Sequence, residues 1–319
     1  MTGGKPVKSD SQYAFSFSAD ITVKPLSESS GGCNLIKYIN AENSAEALKA
    51  LIDGDGKAMI IAGGSDVMVD MDAGKCNPEI LVDVTAAEDM RGIRLEGNEL
   101  VIGASATLTE ISTSPLVRKY YPSLAQGAGC VGSHQIRNSA TLAGNVVTAQ
   151  PAADGAMAVA PLDPVFVIIS EQGERKAKIG DLYAGFGRSA LDSRKEIIRE
   201  IRIPIPADDE KASYIRLELR KSLSLPMLNV AAMVKYTGGK VEWARITMGP
   251  VGVGPTRATE AENWLAGKPL TPENMEKAGK LALKNANPRS NPLRGSKEYR
   301  EHALPILVRR SLEEVAKQF

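Results

Sequence analysis

Two short glycine turns, Ala62-Gly63-Gly64-Ser65-Asp66 and Thr141-Leu142-Ala143-Gly144-Asn145, each close an apolar stretch and carry the residue types that bind an anion through the backbone. The first follows Met59-Ile60-Ile61, which reads as a buried strand, and runs on into Val67. Paired glycines allow dihedrals and a closeness of approach that any Cβ would obstruct, so amide N–H groups can converge on a phosphate. The second turn adds the side chains of Thr141 and Asn145, so the two loops together could hold both halves of a pyrophosphate. That would be a dinucleotide grip without a GxGxxG motif. Taken alone, either turn also reads as an ordinary tight turn. A carboxylate beside a phosphate is repulsive, so Asp66 is expected to accept N–H groups within its own loop or at the helix start that follows.

The elements that must position these turns can be read from the pattern around them. Leu35 to Ile39 reads as a strand and Asn43-Ser44-Ala45-Glu46 as the opening of a capped helix. Further strands are expected at 79–84 and 99–104 and a helix at 108–112, giving a first lobe that ends near Pro115. A second lobe follows, with helices at 120–128 and 152–160, a turn with a short helix at 139–147, and strands at 165–170 and 197–203. The small residues of 152–160 suggest close packing on a neighbouring backbone or on a cofactor. Pro204-Ile205-Pro206-Ala207-Asp208-Asp209 cannot sit in a central strand and marks a domain boundary. Beyond it come strands at 214–219, 230–236 and 241–248 and helices at 256–265, 272–285 and 297–317. The expected organisation is an extension over 1–33, a domain over 34–207 in two lobes (about 34–115 and 116–207), and a C-terminal domain over 208–319.

Composition narrows the functions such a chain can have. Thirty-nine basic against thirty-eight acidic residues leave a net charge of +1, which recommends neither a nucleic-acid nor an anionic-membrane surface. No apolar run is long enough to span a bilayer, and the first twenty residues lack an apolar signal core, so the cytoplasm is the expected location. Three cysteines, Cys33, Cys76 and Cys130, cannot supply the four ligands of an iron–sulfur cluster. With only His134 and His302 beside them, no metal ligands are expected on this chain.

The stretch Gly132-Ser133-His134-Gln135-Ile136-Arg137-Asn138-Ser139-Ala140-Thr141-Leu142-Ala143-Gly144-Asn145, followed by Pro151-Ala152-Ala153-Asp154, resembles the flavin-binding signature of the medium subunit of molybdenum hydroxylases. That family includes xanthine, carbon monoxide and nicotinate dehydrogenases. The likeness extends to Ala62–Asp66, to Glu196-Ile197-Ile198, and to Asn291-Pro292-Leu293-Arg294-Gly295-Ser296-Lys297-Glu298-Tyr299-Arg300. It implies an α+β fold: a two-lobed FAD-binding domain of the vanillyl-alcohol-oxidase type, then a C-terminal α+β domain with a small antiparallel sheet and helices.

The resemblance also implies roles. Ile60, Ile61, Ala62, Gly63, Gly64, Ser65, Asp66 and Val67, with Thr141, Leu142, Ala143, Gly144 and Asn145, would wrap the FAD diphosphate. Val131 and Gly132 would lie against the flavin or its ribityl chain, Asp154 would bond ribityl or ribose hydroxyls, and Ile198 would pack nearby. Arg216 stands where the family commonly has a lysine contacting the cofactor, and Ala143-Gly144 where it often has two glycines. Arg137 and Asn138 are expected to brace the loop, and His134 to have a positioning or surface role. The Leu225–Val230 run is expected to enter a core strand. The FAD would be noncovalent, with the molybdenum cofactor on a large partner subunit and [2Fe-2S] clusters on a small one. The chain would then be an electron-transfer subunit passing electrons from those clusters through FAD to NAD+ or a quinone. The alternatives are a self-sufficient flavin oxidase of the vanillyl-alcohol-oxidase type and an assembly subunit without flavin.

Overall fold

A computed structural model describes residues 36–221 and 223–319. The expected N-terminal extension and Cys33 lie outside the described residues. The chain begins with β1 (Lys37–Asn40), α1 (Ser44–Asp53), β2 (Ala58–Ile61), α2 (Val67–Asp72) and β3 (Ile80–Asp83), the strands forming a parallel sheet in the order β1-β3-β2. The expected cap of α1 forms: Asn43 Oδ1 accepts the Glu46 N–H at 2.9 Å, and Glu46 Oε2 accepts the Glu42 N–H at 2.8 Å.

β4 (Ile93–Glu96) and β5 (Glu99–Gly103) come next, followed by helices α3 (Leu108–Thr113), α4 (Pro115–Tyr120), α5 (Pro122–Cys130), α6 (His134–Arg137), α7 (Leu142–Val147) and α8 (Asp154–Val159). Then come β6 (Val165–Ser170), β7 (Gly173–Lys178), the small hairpin β8 (Tyr183–Gly185) with β9 (Arg188–Ser189), and β10 (Ile197–Pro204). Their main sheet is antiparallel, in the order β4-β5-β10-β6-β7. This differs from the two lobes expected from sequence, because β5 lies in the stretch assigned to the first lobe yet pairs with β10 of the second. Alternating apolar residues specify a strand but not its partner.

Ile201 and Ile203 of β10 belong to the main core cluster, while Glu200, itself buried, and Arg202 lie on the other face of the sheet. There Arg94 and Arg202 both reach Glu200, at 2.7 and 2.6 Å, and the register sets Arg202 opposite Val101 and Glu200 opposite Val167, both valines 0% exposed.

The C-terminal domain is an antiparallel sheet of β11 (Glu210–Leu217), β12 (Leu228–Thr237), β13 (Lys240–Gly249) and β14 (Thr256–Arg257), joined by α9 (Thr259–Leu265), α10 (Pro272–Ala282) and α11 (Lys297–Ala316). Because strand side chains alternate, β12 serves two cores. Val230, Ala232 and Val234 pack with Leu304, Val308 and Leu312 of α11, whereas Ala231 and Met233 join the core of the preceding domain. All six residues of α8 are buried. Its small side chains answer to a neighbouring backbone: a Cβ on Gly127 of α5 would fall 2.2 Å from the Ala158 Cβ. No described helix is long and apolar enough to cross a membrane.

Candidate functional site: the paired glycine turns

The two turns, far apart in sequence, touch through their backbones. A Cβ on Gly63 would lie 2.1 Å from the Ser139 carbonyl oxygen and 2.6 Å from the Ala140 nitrogen, so only glycine permits this contact. Gly64, at φ 65°, takes the left-handed conformation that turns the chain from β2 into α2. The second turn is fixed to α3 by the Leu108 N–H donating to the Ala140 carbonyl at 2.8 Å and by an antiparallel bridge between Thr107 and Thr141.

Each turn opens a helix, α2 after the first and α7 after the second, so first-turn amides are presented without intrahelical partners. Among the described residues, the N–H groups of Gly63, Gly64, Ser65, Asp66, Val67, Leu142 and Ala143 donate to no backbone or side-chain acceptor. Gly64 and Ser65 are half-buried and Gly144 is exposed, so this backbone is accessible to solvent. Free amides at two helix starts suit a diphosphate, which they would neutralise without desolvating a lysine or arginine.

The side chains take more structural roles than the sequence suggested. Asp66 stands at the N-cap position of α2 but caps nothing there; its Oδ2 accepts only the Ser65 hydroxyl at 3.3 Å, contrary to the expected N–H acceptance. That leaves the loop amides free. Thr141 Oγ1 accepts the Gly144 N–H at 3.0 Å as the α7 cap, and Asn145 Oδ1 accepts the Ala156 N–H at 3.0 Å, tying α7 to α8. Leu142 and Ala143 bury their side chains, as does Ile61, while Ile60 and Val67 are half-buried. Ile198 is 4% exposed within the core cluster.

Beside the turns, Gly132 has φ 51° and the half-buried Val131 precedes it. Arg137 Nη1 donates to the Val131 carbonyl at 3.0 Å, and Asn138 Oδ1 accepts the Thr109 hydroxyl at 2.7 Å, so both brace the loop as expected. His134 is exposed at the start of α6.

Asp154 faces the C-terminal sheet. Its Oδ1 accepts from the Tyr214 hydroxyl and, at 3.2 Å, from Asn229 Nδ2, while its Oδ2 accepts from Arg216 Nη1 at 3.1 Å. Burial pushes its pKa up from 3.8 to about 6, against the opposing pull of Tyr214, Arg216 and Asn229. Arg216 Nη1 also donates to the Cys130 carbonyl at 3.0 Å, and Nη2 donates to the Ser224 carbonyl. Its Nε lies 2.5 Å from Glu218 Oε2, an ion-pair contact without hydrogen-bond alignment. The carboxylate and guanidinium that the resemblance assigns to the cofactor are thus engaged with one another across the domain boundary. Tyr214 and Asn229 were not expected here. The signal for Asn229 was present, since an amide in the middle of the apolar run Leu225–Val230 needs a buried partner.

Residues 33–206 match the FAD-binding domain of molybdopterin dehydrogenases, and residues 213–315 match the CO dehydrogenase flavoprotein C-terminal domain. The nicotinate dehydrogenase FAD-subunit of Eubacterium barkeri is 35% identical over 221 residues, 68% of this chain and 74% of that one. The carbon monoxide dehydrogenase medium chain of Hydrogenophaga pseudoflava is 27% identical over 276 residues, 86% of this chain and 95% of that one. A solved structure of the Hydrogenophaga pseudoflava carbon monoxide dehydrogenase superposes with a TM-score of 0.84 at 28% identity, covering 89% of this chain and 98% of that one. Quinoline 2-oxidoreductase from Pseudomonas putida 86 gives 0.82 at 27% identity, over 88% and 97%. With an FAD-binding domain and a CO dehydrogenase-type C-terminal domain, the chain belongs to the FAD-binding subunits of the molybdopterin dehydrogenase family.

Proposed function

We propose that this chain is the electron-transfer flavoprotein of a multi-subunit molybdenum hydroxylase, receiving electrons from iron–sulfur clusters on a small partner and delivering them to NAD+ or a quinone. The observation that carries this reading is the backbone contact between Gly63 and Ser139–Ala140, which joins two sets of free amides into one cradle. Residues 60–67 and 141–145 would hold the FAD diphosphate through those amides. Val131 and Gly132 would lie along the flavin or ribityl chain, their carbonyls fixed by Arg137. Bound there, FAD supplies the conversion between one-electron and two-electron transfer, which is cofactor chemistry; the chain supplies position and electrostatics. Asp154 and Arg216 act as positioning residues, clamping α8 and the Cys130 carbonyl against the C-terminal sheet beside the cradle. Ile198 supports the same wall from within the core.

Substrate oxidation belongs on a partner chain, because three cysteines and two histidines are too few to ligate the clusters that such chemistry requires. The medium-chain designation of the Hydrogenophaga relative supports the hetero-oligomer. The test compares the FAD-loaded chain alone with the chain purified in its complex. Only the complex should bleach the flavin band on addition of the organic substrate, and the lone chain should oxidise no purine, aldehyde or N-heterocycle. Turnover of any of these by the lone, metal-free chain would replace the reading with a self-sufficient flavin oxidase.

A further inference from the structure

The segment between α10 and α11 folds back on itself. Asn291 Oδ1 accepts the Leu293 N–H at 2.9 Å, the Asn291 carbonyl accepts the Arg294 N–H at 3.1 Å, and Ser290 Oγ accepts the Lys297 N–H at 2.9 Å. Arg289 and Arg294 lie on it, and Arg300 stands in the first turn of α11 that follows. Arg300 is only 4% exposed; its Nη1 donates to the Arg289 carbonyl at 2.6 Å and its Nη2 to the Pro250 carbonyl, while its Nε is buried with no acceptor. Arg294 is half-buried and makes no side-chain hydrogen bond or ion pair among the described residues. Arg289 is exposed, and its guanidinium rests 5.4 Å over the Phe186 ring.

None of the three has a carboxylate within 4.0 Å among the described residues. The nearest acids in sequence are committed elsewhere: Glu298 to Ser296 and the first turn of α11, and Glu301 to Lys297 at 3.7 Å. Arg94, Arg202 and Arg216, by contrast, each meet a buried carboxylate. Burial, and after it the like charge of Arg294, weakens the hold of Arg300 on its proton, so the two cations sense one another. A buried guanidinium held only by carbonyls, with an orphaned N–H and a second unpaired cation beside it, lacks a counter-charge. Arginine's planar fork makes such a place selective for tetrahedral and planar oxyanions.

We propose that Arg289, Arg294 and Arg300 form a binding site for an anion of the phosphate class, with the Nε–H of Arg300 among its donors. The site lies in the C-terminal domain and shares no residue with the paired glycine turns, so it does not depend on the electron-transfer reading. The same chemistry is offered by free phosphate or pyrophosphate and by the phosphoryl groups of a nucleotide.

The test is calorimetric titration of the FAD-loaded full chain, at low ionic strength in chloride buffer, with inorganic phosphate, pyrophosphate and ADP. Saturable one-to-one binding is expected without change in the flavin absorbance, and Arg294→Ala should weaken it about tenfold or more. Arg289→Ala, at an exposed position that leaves the fold intact, should also weaken it. Arg310→Ala, on the exposed side of α11, should leave it unchanged. ADP binding at least tenfold tighter than pyrophosphate would identify a nucleotide phosphoryl group as the occupant, and equal affinities a free anion. Absence of saturable binding by all three probes, undiminished affinity in both Arg294→Ala and Arg289→Ala, or displacement of flavin would each overturn the proposal.

Discussion

Replacing Gly63 by alanine tests whether the two turns form one site. The added Cβ would stand 2.1 Å from the Ser139 oxygen, and ordinary contact begins near 3.4 Å, so the turns must part by about 1.3 Å. Both sides of the clash are backbone, which leaves no side-chain rotamer to relieve it. An amide set to reach a phosphate oxygen at roughly 2.9 Å would then stand beyond hydrogen-bond range. Losing two bonds to a charged group, at about 1.5–3 kcal/mol each, gives roughly 3–6 kcal/mol. That corresponds to a rise in the FAD dissociation constant of about two to four orders of magnitude. Flavin fluorescence quenching on titration of the apoprotein measures it, with far-ultraviolet circular dichroism confirming the fold. Gly180→Ala is the control, since a Cβ there meets nothing within 4 Å and its φ is not positive. A folded Gly63→Ala protein with the parental FAD affinity would refute the reasoning, because it would show that the contact between the turns is irrelevant to binding.

Thr141→Ala removes the cap of α7 and should cost about 1 kcal/mol of stability in urea unfolding, with weaker FAD binding as the first turn frays. Asp154 should impose a pH dependence of defined sign. Its folded pKa is raised, so the folded chain keeps a proton that the unfolded chain has lost, and the resulting stability is present below 3.8 and declines as pH rises through about 6. At about 1.36 kcal/mol per pH unit the span amounts to roughly 3 kcal/mol. Asp154→Asn should lose that slope, so the difference in stability between the two proteins should itself change between pH 3.8 and about 6, and parallel curves would contradict it. Acid precipitation should leave a colourless pellet and all the flavin in the supernatant, since no His, Cys or Tyr in the recognised loops fits a flavin-attachment motif; yellow retained on the polypeptide would speak for covalent attachment.

The parts of this molecule legible in sequence are those governed by local rules. Asn43 and Glu46 announce a capped helix, and the apolar run before Gly63-Gly64 announces a strand entering a turn. What escaped depends on distance. Nothing local distinguishes β5 as a partner of β10, and the extent of α2 was not legible beyond the helix start expected after Asp66, because its apolar residues recur over only 6 positions and none of them is buried. β7, with the sequence Gly-Glu-Arg-Lys-Ala-Lys, buries only Ala177 and shows no alternation to recognise. At the site, the glycines and Thr141 could be found because their roles follow from backbone geometry. The engagement of Asp154 by Tyr214, Arg216 and Asn229 could not, since it joins residues that only the folded sheet brings together. Asp66 misled for a related reason: a capping residue in a capping position does not cap unless its rotamer turns inward.

The two faces of β12 bear on how this architecture can be inherited. Ala231 and Met233 complete the interior of the FAD-binding segment, while Val230, Ala232 and Val234 belong to the C-terminal one. Asp154 on α8 draws its three donors from across the same boundary. A gene fragment ending near residue 207 would therefore encode a domain with an unroofed interior and an acid stripped of its partners, and it should aggregate when expressed. A chimera that exchanges the C-terminal half for that of a distant relative should fold only if β11, β12 and α8 come from the same parent. The segments are separable as family patterns but not as portable modules, and substitutions at positions 154, 214, 216 and 229 have to be accepted together.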